Sequence, residues 1–213
     1  MDTLDIPTLD PSTLDMDTVI ANSYRNFHAK GLDYICLQRS PVLTLKVYFF
    51  EDMDRSHVLS DVVNPHDHRY TFMTKCLSGC VENVWYRDLT LEWANLQYGP
   101  RTATTYQKFK YRTPLNGGNG FEWDEECELQ EWASVPYLPG DKYLLQANNI
   151  HTIRIRENQT VIAIEQYADE IPIDGHTWTY TQDREPPGLS GLYDKPTADD
   201  VISRLRLLKE LMR

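Results

Sequence analysis

Short apolar segments separated by turn residues dominate the chain from about residue 34 to residue 180. These segments are rich in β-branched and aromatic residues, which is typical of the strands of a β-sandwich or barrel. We therefore predict an all-β fold. The clearest predicted strands are residues 42–50, 70–76, 81–86, 106–111, 142–145, 151–155 and 160–167.

Two segments near the ends of the chain have helical spacing instead. A short helix is predicted from Asp17 to Gly31 because apolar residues recur there every three or four positions. A second helix is predicted from Ala198, since Thr197 is a favourable N-cap. We expect the apolar stripe of this second helix to pack against the β domain, and it consists of Val201, Ile202, Leu205, Leu208 and Met212.

The chain ends differ in pattern from the β region, and this divides the chain into three parts. Thr-Leu-Asp occurs three times in residues 1–16, and a five-residue step fits neither a helix nor a strand. We predict an extended arm over 1–16, which is either solvated or docked on a neighbouring subunit. Residues 17–185 then form the β domain with its N-terminal helix, and 186–213 form a linker and the C-terminal helix.

The remaining polar stretches indicate turns and one ambiguous segment. Residues 116–120 read Asn-Gly-Gly-Asn-Gly and predict a turn or loop, because glycine and asparagine tolerate positive φ. The acidic, tryptophan-rich stretch 122–132 fits either a lid over a pocket or an amphipathic surface segment.

Composition excludes some classes of partner. The net charge of −11 argues against nucleic acid, which needs clustered lysine and arginine. We also expect no membrane insertion or secretion, because the chain has neither a long apolar run nor a signal-peptide pattern at its start. The expected location is the cytoplasm, where the four cysteines would stay reduced as structural thiols.

The strongest functional signal is a set of three histidines. His66 and His68 lie two residues apart, and His151 begins a later predicted strand. Residues two apart on a strand point to the same face, so two imidazoles can approach the third. The same alternation turns Tyr70 and Phe72 toward the histidines. The sequence thus predicts a site for one divalent metal.

These residues and the glycines around them resemble the motifs of the cupin superfamily of small β-barrels. The family's first motif contains His-x-His and closes on a glycine, which matches His66, His68 and Gly79. Its second motif resembles Gly140-Asp141 followed by His151. The resemblance covers about residues 40–168 and implies a jelly-roll barrel of two sheets, to which this chain adds the N-terminal arm and the two helices.

Two departures from the family pattern point to one branch of it. The family's glutamate ligand falls at Phe72 and its asparagine at Ile155, which leaves three histidines and no carboxylate. Such a set resembles that of the cysteine dioxygenase branch, the thiol dioxygenases, which hold iron(II) with three histidines. The resemblance also implies a tyrosine near the metal, at Tyr167.

The sequence therefore favours a mononuclear metal-dependent oxygenase, resembling thiol dioxygenases, acting on a small anionic chelating substrate with dioxygen. Zinc, nickel, manganese and copper are alternatives to iron(II), because all accept imidazole. A non-catalytic metal- or ligand-binding cupin and a metal-assisted isomerase or lyase of a small sugar or acid are the alternative functions. Tyr167 is the candidate catalytic residue, and a homodimer is a possible assembly. The substrate-binding candidates are Tyr70, Phe72 and Tyr106, and the candidate cations for an anionic substrate are Arg39, Lys46, Lys108 and Arg154.

Overall fold

A computed structural model of the chain describes residues 11–28, 31–50, 61–90, 103–113, 117–172, 174–188 and 193–212. Ten strands in these ranges form two five-stranded antiparallel sheets, ordered β1-β2-β9-β3-β7 and β10-β5-β6-β4-β8. The strands are β1 (Leu32–Arg39), β2 (Leu43–Phe50), β3 (Tyr70–Ser78), β4 (Val81–Asp88), β5 (Thr104–Arg112), β6 (Gly120–Tyr137), β7 (Lys142–Leu145), β8 (Ile150–Ile155), β9 (Thr160–Asp169) and β10 (Thr177–Thr181). The predicted all-β fold is confirmed.

All seven predicted strands are present, but three further strands were not predicted. The largest correction is β6, an 18-residue strand between β5 and β4, where the sequence indicated a lid or a surface segment. Its acidic side chains lie on both faces, since the adjacent Glu125 and Glu126 bond to Lys108 and Gln107 on opposite faces of β5, so neither face carries a clear apolar alternation. Bulges beside Phe109 and Tyr86 also interrupt its alternation.

Two helices cover the outer face of the first sheet. They are α1 (Met16–Asn22) and α2 (Ala198–Leu211), and α2 begins at the predicted capping residue Thr197. A buried core cluster joins both helices to the sheet through the alternate residues of β2, Val47 and Phe49. Residues Lys46 and Tyr48 therefore point the other way, into the space between the sheets.

Both helix predictions need a correction in detail. α1 ends at Asn22 rather than at Gly31, because Tyr24 instead forms a backbone bridge with Tyr34 on β1. In α2 the buried residues are Val201, Leu205 and Leu208. Met212 lies at the C-cap with half of its side chain exposed, so it does not belong to the buried stripe.

The glycines of the two motifs lie in turns. Gly79 connects β3 to β4 with a φ of +70°, and a Cβ there would lie 2.8 Å from the Cα of Thr160. Gly140 has a φ of +96° in the turn before β7, closed by the Asp141 N–H donating to the Leu138 carbonyl. The positive φ favours glycine at both positions. At Gly79 the close approach of Thr160 also leaves no room for a Cβ.

Two predictions fall partly outside the described residues. Residues 1–10 of the predicted arm lie outside them, whereas Leu14 and Met16 pack against the core of the first sheet. In the predicted turn over 116–120, Gly117 and Gly120 have positive φ and Asn116 lies outside.

The four cysteines are free and buried thiols. Within the described ranges, neither helix has the length and apolar character to cross a membrane.

Candidate metal centre

The histidine pair lies on an extended segment that crosses from one sheet to the other. His66 bridges His151 on β8 through reciprocal N–H to carbonyl bonds of 3.0 Å, and it also bridges β10. The chain then joins the first sheet, where β3 begins at Tyr70. The alternation that predicts the site assumes that both histidines lie on a strand. They instead precede it, at a corner where both sheets contribute backbone partners.

This crossing brings the three predicted ligands together. One nitrogen of each of His66, His68 and His151 lies within 4.8 Å of the others. The Nε2 atoms of His68 and His151 are 2.8 Å apart. Two ligands on one metal at bonds of about 2.1 Å and a right angle would be about 3.0 Å apart. The observed spacing therefore fits neighbouring positions around one ion.

Hydrogen bonds fix which nitrogen two of the histidines present to the centre. The Nδ1 of His66 lies 2.8 Å from the carbonyl oxygen of Asn64, which can only accept, so this Nδ1 carries the proton. The Nδ1 of His151 lies 2.6 Å from Oδ1 of the fully buried Asn83 and donates to it. In both residues the proton is on Nδ1, so Nε2 keeps its lone pair for a metal.

Burial keeps the imidazoles neutral. The pKa of each of the three histidines lies below its ordinary value, mainly because burial disfavours the charged ring. His66 adds to this effect by repelling positive charge on His68 and His151. Neutral imidazole is the form that binds a metal. The three residues therefore fit a divalent ion in protonation state as well as in position.

The centre has no carboxylate ligand among the described residues. The ring of Phe72 lies edge-on to His68, with 4.8 Å between the ring centroids, at the position where the cupin motif has glutamate. Asp67 lies between the two histidines in sequence, but its Oδ1 accepts from the backbone N–H of Trp178 at 2.6 Å. Burial raises the pKa of Asp67 to about 7. The predicted all-histidine set is thus what the geometry provides.

The histidines form part of the wall of a cavity of about 560 Å³ between the sheets. Most of the described lining is apolar or aromatic, including Phe50, Tyr70 and Phe72. The carboxylates Asp61 and Asp67 also reach the wall, and Asp61 is paired with Arg154 at 2.7 Å. Cavities of this size and lining are typical of sites for small organic molecules.

The structure divides the predicted site residues into two groups. Tyr70 and Phe72 line the cavity beside His68, with ring centroids 5.6 Å and 4.8 Å from its ring. Tyr106 instead packs against Tyr86 in a core cluster, on the face of β5 opposite to the cavity. Tyr167 is 37% exposed and follows the alternation that turns β9 toward the helices.

These two positions correct the sequence-based site in a specific way. Tyr106 is a predicted substrate-binding residue and Tyr167 the tyrosine that the family resemblance implies, but neither belongs to the described cavity lining. Ile164 on β9 and Tyr111 on β5 face the cavity. Ile164 is three residues from Tyr167, and Tyr111 is five residues from Tyr106. Because side chains alternate along a strand, an odd separation places each tyrosine on the face opposite to the cavity.

Two of the four candidate cations are engaged in ion pairs. Lys108 pairs with Glu125 at 2.8 Å, and Arg154 pairs with Asp61 and Glu131. Lys46 is buried on the inner face of β2, with its ammonium 5.3 Å and 5.5 Å from the ring centroids of Tyr34 and Tyr70. Arg39 lies at the exposed end of β1.

Sequence reasoning missed the residues that orient the ligands. Asn83 lies in the buried strand β4, whose sequence mixes apolar and polar residues, so the amide does not stand out along the chain. The contribution of Asn64 is its carbonyl group, which carries no side-chain signal at all. Both roles depend on how distant segments meet.

No protein-family model and no curated protein matches this chain. Among solved structures, the chain is similar to KdgF from Halomonas sp., with 12% identity, 66% of this chain and 83% of that chain covered, and a TM-score of 0.34. It is similar to a cupin superfamily protein from Desulfitobacterium hafniense, with 12% identity, coverage of 65% and 78%, and a TM-score of 0.36. It is also similar to the polyketide cyclase RemF from Streptomyces resistomycificus, with 11% identity, coverage of 89% and 92%, and a TM-score of 0.36. At such values the chemistry of the site has to be inferred from this chain's own side chains.

Proposed function

We propose that the protein is a metal-dependent enzyme of the oxygenase type, which binds one iron(II) ion and oxidises a small organic molecule with dioxygen. The observation that carries the proposal is the meeting of His66, His68 and His151 on a cavity wall, with two of them held as Nδ1 tautomers. A purely structural ion would not need a cavity of about 560 Å³ beside it. The choice of iron rests on the resemblance to three-histidine cupins.

A divalent ion at this centre would supply a Lewis acid with open coordination positions. Because the three ligands are neutral, they leave the charge of the ion uncompensated. This favours a substrate that offers anionic oxygen or sulfur as a chelating pair. The chain contributes the orientation of two imidazoles through Asn64 and Asn83, and the ring of Phe72 shields one side of the centre from water.

Metal analysis is the first test. Protein purified without chelators should carry about one transition-metal ion per chain, and the His68→Ala and His151→Ala variants should lose it. The matched control is His176→Ala, because His176 contacts Trp178 and lies outside the cluster. Equal metal content in the wild type and in His151→Ala would overturn the proposed centre.

Oxygen uptake is the second test. The iron-loaded protein should consume dioxygen with at least one member of a panel of small thiols, diketones and hydroxyaromatic ketones, and His68→Ala should not. Turnover with a thiol would support the thiol-dioxygenase branch. Turnover without oxygen consumption would instead support isomerase or lyase chemistry. A folded, metal-loaded protein that turns over no member of the panel would overturn an enzymatic role and favour a binding protein.

A further inference from the structure

The lining of the cavity carries information about the size and type of its ligand, beyond the presence of a metal. Nine phenylalanine and tyrosine rings occur among the described lining residues, together with a few aliphatic side chains. The rings are distributed around the cavity. Tyr70 and Phe72 lie beside the histidines, Phe121 stacks on Tyr111 with 4.6 Å between centroids, and Phe27 belongs to a separate group.

We infer that the substrate is a planar polycyclic aromatic compound of about three fused rings, which carries a hydroxyl and a carbonyl oxygen as its chelating pair. This inference rests on the proposed function, since the chelating pair is assigned to the metal held by the histidines. It replaces the small thiol that the family resemblance implied.

The volume of the cavity excludes a good fit for a small thiol. A cavity of about 150 Å³ holds one benzene molecule. The volume of about 560 Å³ is therefore enough for three fused rings and their oxygen substituents. A molecule as small as cysteine would leave most of this space to water, against walls that are mostly apolar or aromatic.

The chemistry of the walls favours a flat aromatic ligand over a sugar or an aliphatic acid. Aromatic side chains attract other rings through edge-to-face and offset-stacked contacts, which add to the burial of apolar area. Three charged groups of the wall already have partners. Asp61 is paired with Arg154, Asp67 accepts from Trp178, and Arg69 is paired with Asp169 at 3.3 Å. The described lining is otherwise mostly apolar or aromatic, which suits a ring better than a polyhydroxylated ligand.

Phenol groups supply the few hydrogen bonds that oxygen substituents need. The Tyr48 and Tyr143 phenols are protonated at neutral pH, and burial moves the pKa of both further above its ordinary value. Both residues line the cavity. A protonated phenol donates to a carbonyl or hydroxyl oxygen, so a ligand with oxygens along one edge is compatible with this lining.

The test uses the full-length protein loaded with zinc, which is redox-inert, and three probes. A dihydroxyanthraquinone has three rings and a hydroxy-ketone pair, ortho-hydroxyacetophenone has the same pair on one ring, and cysteine has a thiol and no ring. Calorimetric titration should show the three-ring probe binding at least about a hundredfold more tightly than the one-ring probe, since two further rings are buried. Equal affinities for the two, or tighter binding of cysteine, would overturn the inference.

A pair of variants checks that the cavity itself is responsible. Ile164→Phe adds bulk to the lining and should weaken the three-ring probe about tenfold or more, with little change for the one-ring probe. Leu144→Phe is the matched control, because Leu144 is 48% exposed on the outer face of the same sheet. If Ile164→Phe reduces both probes equally, the assigned position of the rings is wrong.

The outcomes separate this inference from the proposed function. Zinc content of the wild type and binding of the one-ring chelator report on the metal centre alone. If zinc does not bind, the proposed function fails. If zinc and the one-ring probe bind but the extra rings add no affinity, only the inferred substrate class fails. Should Ile164→Phe not fold, the comparison of the three probes on the wild-type protein decides by itself.

Discussion

Asn83 offers a direct test of how the fold prepares the metal centre. Its Oδ1 accepts from Nδ1 of His151 over 2.6 Å, and no part of the Asn83 side chain reaches solvent. Asn83→Leu retains the approximate volume and removes the acceptor. His151 can then carry its proton on Nε2, which is the nitrogen that would bind the metal.

The expected loss can be estimated from the structure. Removing a hydrogen bond of this kind behind a metal ligand lowers metal affinity about tenfold to a hundredfold, or about 1.4–2.7 kcal/mol. The stability of the metal-free protein should change less. The substitution leaves Nδ1 of His151 without its partner, at a cost of about 1–3 kcal/mol. It also removes Nδ2 of Asn83, a buried donor without a partner in the described part of the structure, which offsets much of this cost.

Two measurements separate the effects. Competition with a metal-binding dye gives the zinc affinity, and urea unfolding of the metal-free protein gives its free energy of unfolding. Asn83→Asp is the matched control, because it retains an acceptor for Nδ1 of His151. Its zinc affinity should be no more than about threefold weaker than that of the wild type. The reasoning is refuted if Asn83→Leu binds zinc within twofold of the wild type, or if Asn83→Asp loses as much affinity as Asn83→Leu.

Four further substitutions test other parts of the structure. Phe72→Glu places a carboxylate beside His68 and should raise the zinc affinity measured by dye competition. It should also lower the free energy of unfolding of the metal-free protein in urea, because a buried carboxylate without a cation is unfavourable. Unchanged zinc affinity would show that position 72 does not reach the ion. Gly79→Ala should destabilise the protein by about 1–3 kcal/mol through its positive φ and the contact with Thr160. Gly140→Ala, with positive φ but open space, should cost less, and an equal loss would contradict the steric part of this account. Arg204→Met should lower the free energy of unfolding by about 3 kcal/mol, because it leaves the buried Asp33 carboxylate without the guanidinium 2.8 Å away. A decrease no larger than that caused by the exposed control Arg206→Met would refute this prediction.

The sequence by itself determined the elements whose signal is local. Alternation and turn residues are properties of neighbouring positions, so they predict β2, β3, β4, β5, β7, β8 and β9 with small shifts at their ends. Thr197 caps α2 through its own side chain, as predicted, and Gly79 and Gly140 act locally through their own backbone conformation. The three histidines could be recognised because their type and spacing are visible along the chain.

Only the tertiary structure decided what surrounds those histidines. Whether Tyr106 or Tyr167 reaches the centre depends on which face of its strand meets the cavity, and the pairing of distant strands sets that face. The same holds for Asn83, which orients His151 because β4 pairs with β8 in one particular register. The number and types of aromatic residues are written in the sequence. Their arrangement around one cavity arises only when the two sheets pack face to face, because it depends on contacts between residues far apart in the chain.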